Sequence, residues 1–136
     1  MNSQLLKVSL LVTRFFVFWM MALWAWARIT TEGAPGFYRF YSLGGIDFTA
    51  IPPSIIGYLM LGLYILFFIG FKKTITYLLV FAIHGFGILL TLPESLPFFD
   101  VFRSTWFTSW PALMAMWLLW VQRDEDTLLS LKGKWG

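Results

Sequence analysis

Apolar positions gather into four long runs, at about residues 5–27, 51–71, 74–92 and 104–121. Each is too continuous for the alternation of a half-buried strand, and each approaches the roughly 17–25 residues that cross a bilayer as a helix. The pattern predicts an all-α fold, a four-transmembrane-helix antiparallel bundle forming one membrane domain. Polar punctuation supports the divisions. Gly33, Pro35, Gly36, Gly44 and Gly45 fill the first connection, and Pro52-Pro53 opens the second run, where missing N–H groups are tolerated. Lys72-Lys73 separates runs two and three with almost no loop, which requires an antiparallel hairpin. Pro93-Glu94-Ser95-Leu96-Pro97 is expected to stop the third run, Pro111 lies inside the fourth, and a charged tail occupies residues 122–136.

Composition agrees with lipid as the main solvent: 59% of the 136 residues are hydrophobic and 12% are charged. The net charge of +3 does not point to nucleic acid, because the basic residues sit at the ends of apolar runs and form no stripe. Their distribution speaks to orientation instead. Lys7, Lys72, Lys73, Arg123, Lys132 and Lys134 fall on one side and Arg28, Arg39 and Arg103 on the other, so both termini are expected in the cytoplasm. Trp24, Trp26, Trp106, Trp110 and Trp120 lie near run ends and are expected to anchor the helices at headgroup level. Ala25-Trp26-Ala27 formally matches a signal-cleavage pattern, but the preceding run is crowded with Trp and Phe, and a retained helix is the better reading. Cysteine is absent, which removes disulfides and thiolate chemistry.

The candidate chemistry centres on Arg14, because a charge inside hydrocarbon is costly and is retained for a reason. Counting inward from the cytoplasmic ends puts Arg14 and His84 at a similar depth, about 13–15 Å. Together with Trp19, one turn from Arg14, and Tyr58 in the second run, they form the candidate ligand-binding set. No acidic residue lies within the runs, so Arg14 is expected to face the bundle interior without a carboxylate partner, helped by cation–π contacts to rings such as Trp19. Asp47 and Glu94 are expected to pair with Arg28, Arg39 or Arg103 in an outer cap, and Arg123-Asp124-Glu125-Asp126 reads as a solvated end. Gly57, Gly62, Gly70, Ala82, Gly85 and Gly87 offer points of close helix approach. With one His, no phosphate loop and no hydrolase or zinc motif, no catalytic or metal residues are assigned.

Several segments resemble the DoxX-like family of small four-helix membrane proteins. They are Thr13-Arg14, the closing Arg28, the stretch from Gly62 through Tyr64 and Gly70 to Lys72-Lys73, mid-helix His84, Trp110, and the ending Asp126-Thr127-Leu128-Leu129-Ser130-Leu131. Gly57-Tyr58-Leu59-Met60 lacks the acidic residue that family members often carry there. The resemblance implies an accessory subunit in a bacterial-type cytoplasmic (inner) membrane, whose partners are the lipid bilayer and other membrane subunits, and which is associated with quinone-linked or sulfur-linked oxidoreductases. No cofactor is expected in this chain itself, with quinone as the candidate ligand. An enzyme subunit completing a quinone site with Arg14 and His84 is the alternative. A small transporter is the weaker third class, since inverted repeats and broken helices are missing.

Overall fold

A computed structural model describes residues 3–30, 51–95 and 104–136, apart from the side chains of 53, 90–95 and 104–108. The described residues form four α-helices and no strand: α1 Ser3–Thr30, α2 Pro53–Phe68, α3 Lys73–Ser95 and α4 Ser104–Val121, followed by a 3-10 turn at Gly133–Trp135. By length and composition α1 is apolar enough to cross a membrane, whereas α2, α3 and α4 carry shorter apolar stretches, Ser54–Phe68, Lys73–Leu89 and Ser109–Val121.

The helices pack as a ring. α1 lies chiefly on α2 and α3 chiefly on α4, with lighter contacts closing α1 to α4 and α2 to α3. The core is a set of helical stripes: Leu10, Val17, Met21 and Ala25 on α1 meet Tyr64 and Phe67 on α2, Tyr77 and Val80 on α3, and Met116 and Leu119 on α4. The α1 positions recur at seven- and four-residue spacing, which keeps them on one face. Arg14 falls on that same stripe.

Glycine controls two approaches. A Cβ on Gly57 would lie 2.9 Å from the Ala25 carbonyl oxygen and 2.8 Å from Ile29 Cγ1, so α1 and α2 come together because this position has no side chain. Gly62, also expected at a close approach, has nothing within 4 Å of such a Cβ. Gly70 instead ends α2. Its φ of +71° and the bonds from Gly70 N–H to Phe67 O (3.1 Å) and from Phe71 N–H to Leu66 O (2.9 Å) make a Schellman cap. The chain then turns through Lys72, whose carbonyl accepts the Ile75 and Thr76 N–H groups and starts α3. This is the hairpin that Lys72-Lys73 predicts.

Several helix ends depart from the sequence pattern by two or three residues, α2 closing at Phe68 rather than at residue 71. Helix α1 runs on past Arg28 to Thr30, whose hydroxyl donates to the Trp26 carbonyl at 3.0 Å. Helix α3 continues through Pro93 to Ser95, because proline's own φ is helical and its ring forfeits only one N–H bond near a helix end. Of the expected outer cap only the Arg28 side chain is described, at the end of α1; Arg39, Asp47 and Arg103 lie outside the described residues, as do the side chains of Glu94 and Trp106.

Candidate functional site

Beyond Val121 the chain turns back on itself and lies across the end of the α2–α3 hairpin. Leu131 N–H donates to the Ile69 carbonyl at 2.9 Å, Lys72 N–H donates to the Trp135 carbonyl at 2.8 Å, and the Trp135 ring stacks on Phe71 at 5.9 Å. Ser130 packs where a Gly70 side chain would stand, 2.7 Å from the position of its Cβ. This docking brings the Asp126 side chain and the carbonyls of Leu128 and Leu129 to the bundle.

There they meet Arg14. Both Arg14 and Asp126 have 0% exposure, and Arg14 Nη1 lies 3.0 Å from Asp126 Oδ2. Tyr77 completes a triangle: its hydroxyl accepts from Arg14 Nη1 at 3.2 Å and donates to Asp126 Oδ2 at 2.7 Å. The second guanidinium nitrogen, Nη2, donates to the carbonyls of Leu128 (2.5 Å) and Leu129 (3.2 Å). Lys73 Nζ donates to the Asp126 carbonyl at 2.9 Å, and Ser130 Oγ donates to the same oxygen at 3.2 Å. Thus α1 and α3 supply the charged donors, and the tail supplies nearly every acceptor. Two buried atoms, Arg14 Nε and Asp126 Oδ1, have no hydrogen-bond partner among the described residues.

This corrects the solvated-end reading of the tail. Asp124 and Glu125 are exposed, but Asp126 is enclosed and provides the carboxylate that the apolar runs lack. Removing two opposite charges from water is tolerable only where they meet directly and gain further hydrogen bonds, which here come from Tyr77 and the Leu128 and Leu129 carbonyls and leave one nitrogen and one oxygen unpaired. The backbone accommodates the return at Leu129, whose φ of +47° lies in the left-handed region that L-residues seldom enter.

The other candidate residues lie elsewhere. Arg14 faces the interior as the sequence suggests, yet its partner on α3 is Tyr77, seven residues or about 10 Å from His84. His84 Nε2 lies 3.0 Å from the Ser109 carbonyl and ties α3 to α4; with the proton on Nε2 it is the donor. Trp19 is 55% exposed and stacks on Phe15, while the ring near the Arg14 guanidinium is Phe68, at 5.9 Å. Tyr58 is 62% exposed. The structure therefore does not gather Arg14, His84, Trp19 and Tyr58 into one pocket. Trp24, Trp26 and Trp110 are exposed, and half-buried Trp120 donates from Nε1 to the Thr74 carbonyl at 3.1 Å.

Other ligand space is modest in chemistry. An open groove of about 340 Å³ between α1 and α4 is lined by Val12, Thr13, Phe16 and Val17 on one side and Pro111, Ala112 and Ala115 on the other, without Arg14 or His84. Among the described residues no three His, Asp or Glu side chains converge as a metal site. What the central cluster can do chemically is hold a negative group firmly, and its present occupant is Asp126. Comparison of the chain with known protein families, with curated proteins and with solved structures finds no match.

Proposed function

We propose that this chain is a small integral-membrane accessory subunit: four membrane helices with both termini in the cytoplasm, serving a membrane complex rather than carrying out a reaction alone. The observation that carries this reading is the division of polarity. The deepest charge, Arg14, is neutralised within the chain by Asp126, whereas the outward faces carry exposed Phe15, Phe16, Trp19, Leu59, Leu89 and Trp117. Soluble monomers rarely expose so much contiguous apolar surface, while lipid and partner helices accept it.

Helix α2 is the shortest, about 24 Å. Flanking Ile51 and the Ile69–Phe71 turn extend its apolar run toward the roughly 30 Å of a hydrocarbon core. The hairpin end, with Lys72, Lys73, Lys132 and Lys134, is the cytoplasmic face in this reading. The resemblance to DoxX-like proteins favours a complex linked to quinone oxidoreduction in a bacterial-type inner membrane. Any quinone would sit against a partner, because both terminal nitrogens of the Arg14 guanidinium are already engaged by the tail and Tyr77, and its Nε is buried.

The test is purification of the tagged full chain from membranes in mild detergent, with identification of the proteins and lipids that remain bound. Stoichiometric recovery with a membrane oxidoreductase supports the proposal. Extraction of the chain from membranes by alkaline carbonate, or a partner-free chain with quinone-dependent turnover, overturns it.

A further inference from the structure

We propose that the docked tail and the α2–α3 turn form a preformed site for the phosphodiester headgroup of an anionic phospholipid. The inference rests on the membrane reading above but concerns a different face of the molecule. An open cleft of about 410 Å³ lies between α3 and the tail, lined by Lys73, Thr127, Ser130, Lys132 and Gly133, with Asp124 as its acidic member.

The donors are available. Lys132 makes no hydrogen bond or ion pair among the described residues, and the Thr127 hydroxyl makes no hydrogen bond there either. Lys73 spends one ammonium proton on the Asp126 carbonyl and keeps the others. Ammonium and hydroxyl groups on a small-residue turn suit phosphate oxygens. Among the side chains that line the cleft the two lysines outnumber the one carboxylate, Asp124.

Apolar side chains beside the cleft fix the source of that phosphate. Leu129 is 79% exposed, Leu131 38% and Trp135 50%, on a segment that also carries Lys132 and Lys134. Leu129 is turned outward from a left-handed backbone, and its carbonyl is held by Arg14. A polypeptide edge that projects leucine and tryptophan between lysines matches the boundary of headgroup and acyl chain. The edge is also pinned to Ile69 and Lys72, so a lipid would meet a surface that needs little ordering.

The experiment is native mass spectrometry of the full chain, released from detergent after incubation with phosphatidylglycerol, phosphatidylcholine or inorganic phosphate. Phosphatidylglycerol should be retained over phosphatidylcholine. Lys132→Gln should reduce that preference about five-fold, the worth of one lysine at an anionic surface. Lys7→Gln, with the same change in net charge away from the cleft, should keep it. Lys132 is exposed and makes no hydrogen bond or ion pair among the described residues, so an unchanged melting temperature is expected for the variant. No lipid preference in the wild type, or equal losses in both variants, would overturn the site. Retention of inorganic phosphate without phosphatidylglycerol would assign the cleft to a soluble anion and overturn the lipid proposal. A chain that resists alkaline carbonate yet shows no lipid preference leaves the membrane reading standing and sinks only this inference.

Discussion

Replacing Asp126 with alanine should be among the most damaging single changes outside the apolar core. The substitution removes the carboxylate from a pair in which both side chains have 0% exposure, leaving the Arg14 guanidinium buried. Breaking such a pair costs about 3–5 kcal/mol, because the surviving charge is desolvated without compensation. The lower end applies here: the Leu128 and Leu129 carbonyls and the Tyr77 hydroxyl still accept from the guanidinium, so roughly 3 kcal/mol is expected. At about 2–4 °C per kcal/mol, the melting temperature should fall by about 10 °C. Asp124→Ala, at an exposed site, should stay within about 0.5 kcal/mol of wild type. The assay is thermal unfolding of the purified chain in one detergent, followed by circular dichroism. A second readout uses the absence of cysteine: a single Leu129→Cys label should become more mobile when Asp126 is also replaced. Replacing both charges with Arg14→Met and Asp126→Leu should recover much of the loss, since an apolar pair of similar volume needs no desolvation. If Asp126→Ala and Asp124→Ala melt alike, the buried pair does not hold the tail and the argument fails.

Other outcomes follow from particular contacts. Tyr77→Phe should cost about 1–2 kcal/mol in the same melts, less than Asp126→Ala, because the direct Arg14–Asp126 contact survives loss of the hydroxyl. Gly57→Val should cost about 1–3 kcal/mol by pushing α1 from α2, since the Ala25 carbonyl cannot yield, whereas Gly62→Ala, facing open space, should be neutral or stabilising by up to about 1 kcal/mol. Gly70→Ala should strain the left-handed cap by about 1 kcal/mol and raise protease sensitivity after Val121, because the new Cβ collides with Ser130. His84→Leu should cost about 1 kcal/mol in melting and leave tail mobility unchanged, since its contact is with Ser109.

The helices were legible because their signals are local. The fourth apolar run coincides with α4, and Lys72-Lys73 marks the hairpin turn. The inward facing of Arg14 was legible too, from the cost of leaving it in hydrocarbon and from the Leu10, Val17 and Met21 stripe that it shares. Its partner was hidden, because Asp124-Glu125-Asp126 has the composition of a solvated end. Two signals bear on it: a buried arginine with no acid in the apolar runs needs one from outside them, and Thr127-Leu128-Leu129-Ser130-Leu131 is too apolar for a simple solvated tail. The match of Arg14 with His84 failed for a geometric reason. Counting residues from run ends assumes that all helices start at one level, but the residue of α3 that meets Arg14 is Tyr77, only four places after its first residue.

The Arg14–Asp126 pair also spans the history of the polypeptide. The two residues are separated by 112 positions, so at about 5–20 residues per second the arginine is incorporated roughly 6–22 s before its carboxylate exists. Throughout that interval the first helix holds a charge whose partner has yet to be made. A nascent chain that stalls within α4 has all four apolar segments begun and the Arg14 guanidinium still uncompensated. The pair thus joins the stability of the first helix to the arrival of the segment that carries Asp126.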